Sequence, residues 1–277
     1  MNKTKKILSK IFTYVVIVFT IIVSTFPIIW VIISSFKTNG EILSSPFSLP
    51  SSINFDAYMY LFEKYDFLTY AINSILITSV ATLGSLIIYA LGAYVIAKYD
   101  FPGKNLFYVL FTLTLLVPAH SRTQPIFSLI MKLNLYNTRE ALMLVYLSGG
   151  MAMSMFILKS TFMAIPKSFD EAASIEGAGF FKVFYKINLP LAKNGLLTAG
   201  VLMFLANWNE YYYASLLTTS TQNRTLPVVM LLFNEAFSYD YTLTFAALVI
   251  VALPGIIIYS IAQEQVQESL ASSGIKG

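Results

Sequence analysis

An all-α protein that crosses a membrane six times is the fold this sequence predicts, on three observations. Hydrophobic residues make up 57% of the 277 and charged residues only 12%, about half the charge of an ordinary soluble domain. Mean hydropathy is +0.69. Mostly apolar runs at about residues 11–33, 72–97, 105–117, 141–162, 194–216 and 242–262 alternate with polar segments, and apolar runs of this kind serve as bilayer-spanning helices.

Composition also excludes several function classes. The chain has no cysteine and one histidine, His120, so neither disulfides, thiolate chemistry nor a cysteine- or histidine-ligated metal site is expected. The net charge of +4 does not imply nucleic acid, because the basic residues lie between apolar runs, where they act as topology signals. Gly103-Lys104 lacks the rest of a phosphate loop, and no serine or cysteine nucleophile with a base is visible.

Lys3, Lys5, Lys6 and Lys10 precede the first run. That run is too long for a signal peptide and lacks a small-x-small cleavage site, so an uncleaved first span is expected, kinked at Pro27. The polar interval 34–70 is broken by Pro46 and Pro50, with a short helix expected over 58–62. In the second run the pairs Ala81/Ser85 and Ala93/Ala97 have the four-residue spacing that lets helices approach closely. The third run is short for a crossing, so its helix is expected to continue into the polar residues beyond. Pro118 and Pro125 flank that stretch, AHSRTQ, in which His120 reads as a hydrogen-bonded residue at a span end. Residues 126–135 are too few to span and read as re-entrant or interfacial. Gly149-Gly150 marks a weak point or a close-packing site in the fourth run. The fifth ends in Asn207-Trp208-Asn209-Glu210-Tyr211-Tyr212-Tyr213, and Glu210 lies about 24 Å along a helix from Asn194. An ionisable residue there is either a functional group or a carboxylate reaching water from an aromatic belt.

The most polar segment is 166–191, PKSFDEAASIEGAGFFKVFYKINLPL. Ser168 and Glu171 have capping-box spacing, which predicts a helix from Phe169 of about eight residues, roughly 12 Å long. Gly177 closes it in the left-handed conformation. Phe169, Ala172, Ala173 and Glu176 share a small-sided face suited to docking in a cleft. Phe180, Phe181, Val183, Phe184 and Ile187 form a second amphipathic piece, ended by Pro190.

Glu171-Ala172-Ala173, Gly177 and Ile187-x-Leu189-Pro190 together resemble the EAA loop of bacterial ABC-importer permeases. Leu133-Asn134-Leu135 and Asn137-Thr138 look like that family's turn before its next span, and Gly274-Ile275-Lys276-Gly277 resembles its C-terminal ending. Ser35-Phe36-Lys37-Thr38, Glu41-Ile42, Leu49-Pro50, Trp208-Asn209-Glu210 and Thr225-Leu226-Pro227 look like its carbohydrate type, similar to maltose-transporter inner-membrane subunits. The resemblance implies one transmembrane domain over 1–277 and a cytoplasmic coupling helix through which Glu171, Ala172, Ala173, Gly177, Phe180, Leu189 and Pro190 engage a separate ATPase. It further implies an ATP-binding cassette ATPase dimer, a homologous second permease subunit and an extracytoplasmic solute-binding protein as partners. ATP and Mg would belong to the ATPase, with no cofactor and no enzymatic activity in this chain. Asn207, Trp208, Asn209, Glu210 and Tyr211 are the candidate substrate path, because amides and aromatic rings suit sugars. Residues 263–268 depart from the family's more basic tail.

Charge supports the topology independently. With both termini inside, inner segments hold 12 of the 18 basic residues and outer ones 6, as the positive-inside rule requires. The cytoplasmic membrane is the expected location. The rival readings are a secondary transporter, which would need intramembrane carboxylates or repeats, a sensory complex without net transport, and a permease for amino acids or peptides.

Overall fold

The computed structural model describes residues 3–231 and 240–274, and every regular element among them is helical. The last three residues of the expected C-terminal motif, Ile275-Lys276-Gly277, lie outside the described residues. The chain divides into two compact units, one of Met1–Phe67 with Val229–Leu253 and the other of Leu68–Val228 with Pro254–Gly277.

In the first unit, α1 (Lys3–Ser34) runs through Pro27 as a single helix. Trp30 near its end donates from Nε1 to the Pro46 carbonyl at 2.8 Å and meets Phe245 edge-on at 5.1 Å. The chain then turns through α2 (Asn39–Ser44) and α3 (Asp56–Lys64), the latter longer than the helix expected at 58–62. Lys37 is fully buried. Its ammonium donates to the carbonyls of Ser45 and Pro46 at 3.2 and 3.0 Å, just beyond the C-terminus of α2, where a cation is favoured by the helix dipole. A capping box starts α2: Thr38 Oγ1 accepts from the Glu41 N–H at 3.3 Å, and Glu41 Oε2 accepts from the Thr38 N–H at 2.9 Å. The other Glu41 oxygen accepts from the Ser51 N–H at 3.1 Å and from the Ser51 hydroxyl.

In the second unit, α4 (Phe67–Lys98) is the long central helix. Ala81, Ser85 and Ala93 are buried along it, so the small-residue spacing does mark close packing. Next, α5 (Lys104–Leu113) tightens into a 3-10 turn, Thr114–Leu116. It does not continue into the polar stretch. Val117 is extended, because the ring of Pro118 disfavours helical dihedrals in the residue before it. A second 3-10 turn, Ala119–Arg122, leads to α6 (Thr123–Lys132). The fourth expected span is two helices, α7 (Arg139–Leu147) and α8 (Met151–Ala164), bent by 49°. Gly150 takes φ +67° there, a conformation that costs glycine little. The bend frees backbone carbonyls, and α4 receives one: Leu147 O accepts from Ser85 Oγ at 2.8 Å and Tyr89 OH at 2.7 Å.

The central polar segment forms α9 (Ser168–Ile175) and α10 (Phe180–Leu191), which turns by 80° into α11 (Lys193–Trp208). Pro190 does not end α10; the break falls at Ala192, which is fully buried. The fifth expected span also stops early, at Trp208, and resumes as α12 (Tyr212–Leu217). The last helix, α13 (Tyr241–Gly274), contains Pro254. Among the described residues, three helices are long and apolar enough to cross a membrane, two bent pairs become so when joined, and Lys104–Leu116 is a shorter apolar helix.

The core of the second unit is built by Tyr89, Ala93 and Tyr94 of α4, Met155, Leu158 and Phe162 of α8, Phe184 of α10 and Met203 of α11. Lipid is as apolar as these side chains, so close van der Waals fit drives such helices together. Gly195 shows how close the fit is: a Cβ there would overlap the Thr161 side chain of α8.

Two outcomes are expected. Gly195→Ala should destabilise the α8–α11 packing by about 1–3 kcal/mol, read as a lower melting temperature of the purified protein. Adding Thr161→Ala, which removes two of the three overlapping atoms, should recover part of the loss. The Glu41 carboxyl, held down to about 2 by the Ser51 hydroxyl and then by the Thr38 and Ser51 N–H groups, should titrate there in carboxyl NMR. Its folded value lies below the ordinary one near 4.3. Its stabilisation of the loop is therefore complete above that value and is lost as pH falls through about 2.

Candidate functional site

Lys167 already turns helically, and the Pro166 carbonyl accepts from the Phe169 N–H at 3.3 Å, so Ser168 is inside α9 and not at its cap. Lys167 takes φ −62° and makes no side-chain cap, while its carbonyl accepts from the Asp170 and Glu171 N–H groups at 2.9 and 3.0 Å. A capping box needs extended dihedrals at the capping residue. The expected Ser168–Glu171 box is therefore absent, although the helix has the expected eight residues and closes at Gly177 with φ +77°.

What holds the segment in place is Asp170. Its Oδ2 lies 2.9 Å from Lys98 Nζ, with the two side chains 18% and 4% exposed, and its Oδ1 accepts from the Asn188 amide. Lys98 also donates to Ile165 O at 2.7 Å, satisfying a carbonyl where α8 ends. Asn188 is fully buried at the end of a π-helical stretch, Phe184–Asn188, a widened turn often found at functional sites. One carboxylate thus ties α9 to the ends of α4 and α10. Tyr94 packs against Phe180 and Phe184 at 5.6 and 5.0 Å, fixing α10 from the other side.

The outward surface carries large apolar side chains among its charged ones. Ile175 is 88% exposed and Phe181 72% exposed, and Phe169, Glu171, Ala172, Phe180, Tyr185 and Pro190 are also exposed. Ala173 is buried, so it belongs to the inner side of the helix and departs from the face expected of Phe169, Ala172, Ala173 and Glu176. Leu189 is half-buried.

The aromatic group at the end of α11 is separated by the helix break. Asn207 is buried and donates to Thr82 Oγ1 at 3.2 Å. Trp208 is buried, stacked on Phe204 at 5.9 Å and beside Gly255. Asn209 and Tyr211 are exposed. Glu210 neither reaches out to water nor stands unpaired. Its Oε1 accepts from the Tyr213 N–H at 2.8 Å, and its Oε2 accepts from the Ala214 N–H at 3.0 Å and from Tyr146 OH at 2.8 Å. It caps α12 and ties that helix to α7.

Residues 89–271 match the family model described as binding-protein-dependent transport system inner membrane component. The chain belongs to this family. It is 33% identical to a diacetylchitobiose uptake system permease protein of Streptomyces coelicolor, over 88% of this chain and 82% of that one. It is 31% identical to a trehalose/maltose transport system permease protein of Thermococcus litoralis, over 99% of each. In fold it is similar, with a TM-score of 0.83 and 24% identity over 95% of this chain and 98% of the other, to a bacterial ABC transporter involved in import of the acidic polysaccharide alginate.

In this permease the sequence motif picks out α9 and Gly177 but not the groups that anchor them. Lys98 sits 72 positions before Asp170 in the chain, and no local spacing links the two. Asn188 lies within the Ile187-x-Leu189-Pro190 element and was the accessible clue, since a buried amide requires a partner.

Removing one member of a buried ion pair costs about 3–5 kcal/mol. Lys98→Met should therefore loosen 166–191 and speed trypsin cleavage at its exposed lysines, Lys167, Lys182 and Lys186, by about ten-fold or more. Unchanged cleavage would show that the pair does not order the segment.

Proposed function

We propose that this chain is the membrane-spanning subunit of an ATP-driven carbohydrate importer, and that residues 166–191 are the cytoplasmic segment through which a separate ATPase drives it. The observation that carries this reading is the combination of a rigid anchor, Lys98–Asp170–Asn188, with an exposed apolar face at Phe169, Ala172, Ile175 and Phe181. A fastened helix with an uncovered greasy side transmits force to whatever covers it. Burying Ile175 and Phe181 against a partner would contribute about 1.5–3 kcal/mol each.

In this reading 1–277 forms one transmembrane domain of six spans, with the bent pairs counted singly and both termini cytoplasmic, as the positive charge supports. The chain itself is not an enzyme. ATP and Mg bind in an ATP-binding cassette dimer, and a homologous second permease subunit completes the gate. An extracytoplasmic solute-binding protein, of the kind the family's description requires, delivers the solute. The sugar uptake named for the relatives supports a saccharide over an amino acid or peptide. Energetically, nucleotide binding must supply the differential affinity between inward-open and outward-open conformers. Full inversion of a 1:99 population takes about 5.5 kcal/mol, well within what two docked loops and a nucleotide-closed dimer can provide.

Gly177→Pro cannot take the positive φ at that turn, and Glu171→Ala removes an exposed carboxylate that makes no hydrogen bond to the described residues. In membrane vesicles carrying the whole complex, both variants should insert normally yet lower ATP-dependent uptake of the sugar that the binding protein carries, by about ten-fold for the proline. Uptake at the wild-type rate in both would remove the coupling role.

A further inference from the structure

Two interruptions in the helices of the second unit meet. From Lys104 to Leu116 the chain rises about 20 Å, and the 16 residues of α11 rise about 24 Å. Both fall short of the roughly 30 Å hydrocarbon core. If Lys104 and Lys193 mark the cytoplasmic surface, the breaks at 117–122 and 209–211 lie at membrane depth. They are also in contact: Thr123 Oγ1 is 2.9 Å from Tyr212 OH, and the His120 ring meets the Tyr212 ring edge-on at 4.8 Å. His120, Ser121, Asn209, Tyr211 and Tyr212 are all exposed at this junction.

Irregular backbone cannot face lipid, because its N–H and C=O groups would have no partners; at membrane depth it survives only against protein or beside water. The donors and acceptors here are unbalanced. Arg122 makes no ion pair, and its Nε is buried without a hydrogen-bond partner among the described residues. Glu210, the carboxylate within the other break, is committed to Tyr146 and to the cap of α12. We propose that His120, Arg122, Thr123 and Tyr212 line the water-filled solute path, with Arg122 donating to solute oxygen atoms and the His120–Tyr212 pair offering a ring face to a sugar. This rests on the importer reading, and moves the solute contact away from Trp208 and Asn207, which are buried.

The absence of cysteine makes the test direct. Single variants Ser121→Cys and Thr123→Cys, and Leu110→Cys on the exposed apolar side of α5 as control, would be assembled with the partner subunits in vesicles. Each is then exposed to a membrane-impermeant, positively charged methanethiosulfonate with ATP, with ADP and without nucleotide. Positions 121 and 123 should react at least about ten-fold faster than 110 in one nucleotide state, and Arg122→Gln should raise the KM for uptake several-fold while Arg122→Lys retains most affinity. Reaction at the control rate in every state, with KM unchanged in Arg122→Gln, overturns the proposal. Fast, nucleotide-dependent reaction that no saccharide slows supports the path while removing the carbohydrate reading.

Discussion

A chain immersed in hydrocarbon has no water to satisfy a backbone group left over where a helix stops. This protein interrupts its helices repeatedly, and at three of these interruptions a side chain takes up the loose end. Ser85 and Tyr89 of α4 bind the Leu147 carbonyl at the α7–α8 bend. Lys98 binds the Ile165 carbonyl where α8 ends. Glu210 receives the first N–H groups of α12. These borrowed partners join helices that are distant in sequence, so the devices that permit the breaks also hold the unit together.

Residues 166–191 use the same device with a charge added. Lys98 serves the end of α8 and the first turn of α9 together, and Asp170 adds Asn188 from the end of the π turn. A carboxylate near the start of a helix is favoured by the helix dipole, and here it is also shielded from solvent. The motif glutamate next to it, Glu171, stays on the surface. Adjacent acidic residues are therefore treated differently: one is fastened inward to the helices, and the other is left on the surface.

Much of this was legible in the sequence because it is local. Apolar runs predicted the long helices, Gly177 predicted the left-handed turn, and Gly149-Gly150 predicted the bend. The misreadings have physical causes too. Ser168 has the spacing of a cap, but Pro166 starts the turn early and puts the hydroxyl inside the helix, whereas the box at Thr38 and Glu41 forms because Thr38 is extended. The third run was expected to continue past Pro118, and the fifth past Trp208; proline ended one, and Glu210 nucleated a new helix after the other. Tertiary partners such as Lys98–Asp170 and Thr123–Tyr212 leave no periodic trace, which is why the anchor and the junction emerged only with coordinates.

The near-perpendicular corner at Ala192 gives the molecule a bell crank. With α10 set at 80° to α11 and the corner residue packed without any free surface, little of a push along the short arm is directed along the long one. The long arm must swing instead of slide. A modest shove on α10 is thereby turned into sideways travel at the far tip of α11, where the helix stops before Asn209.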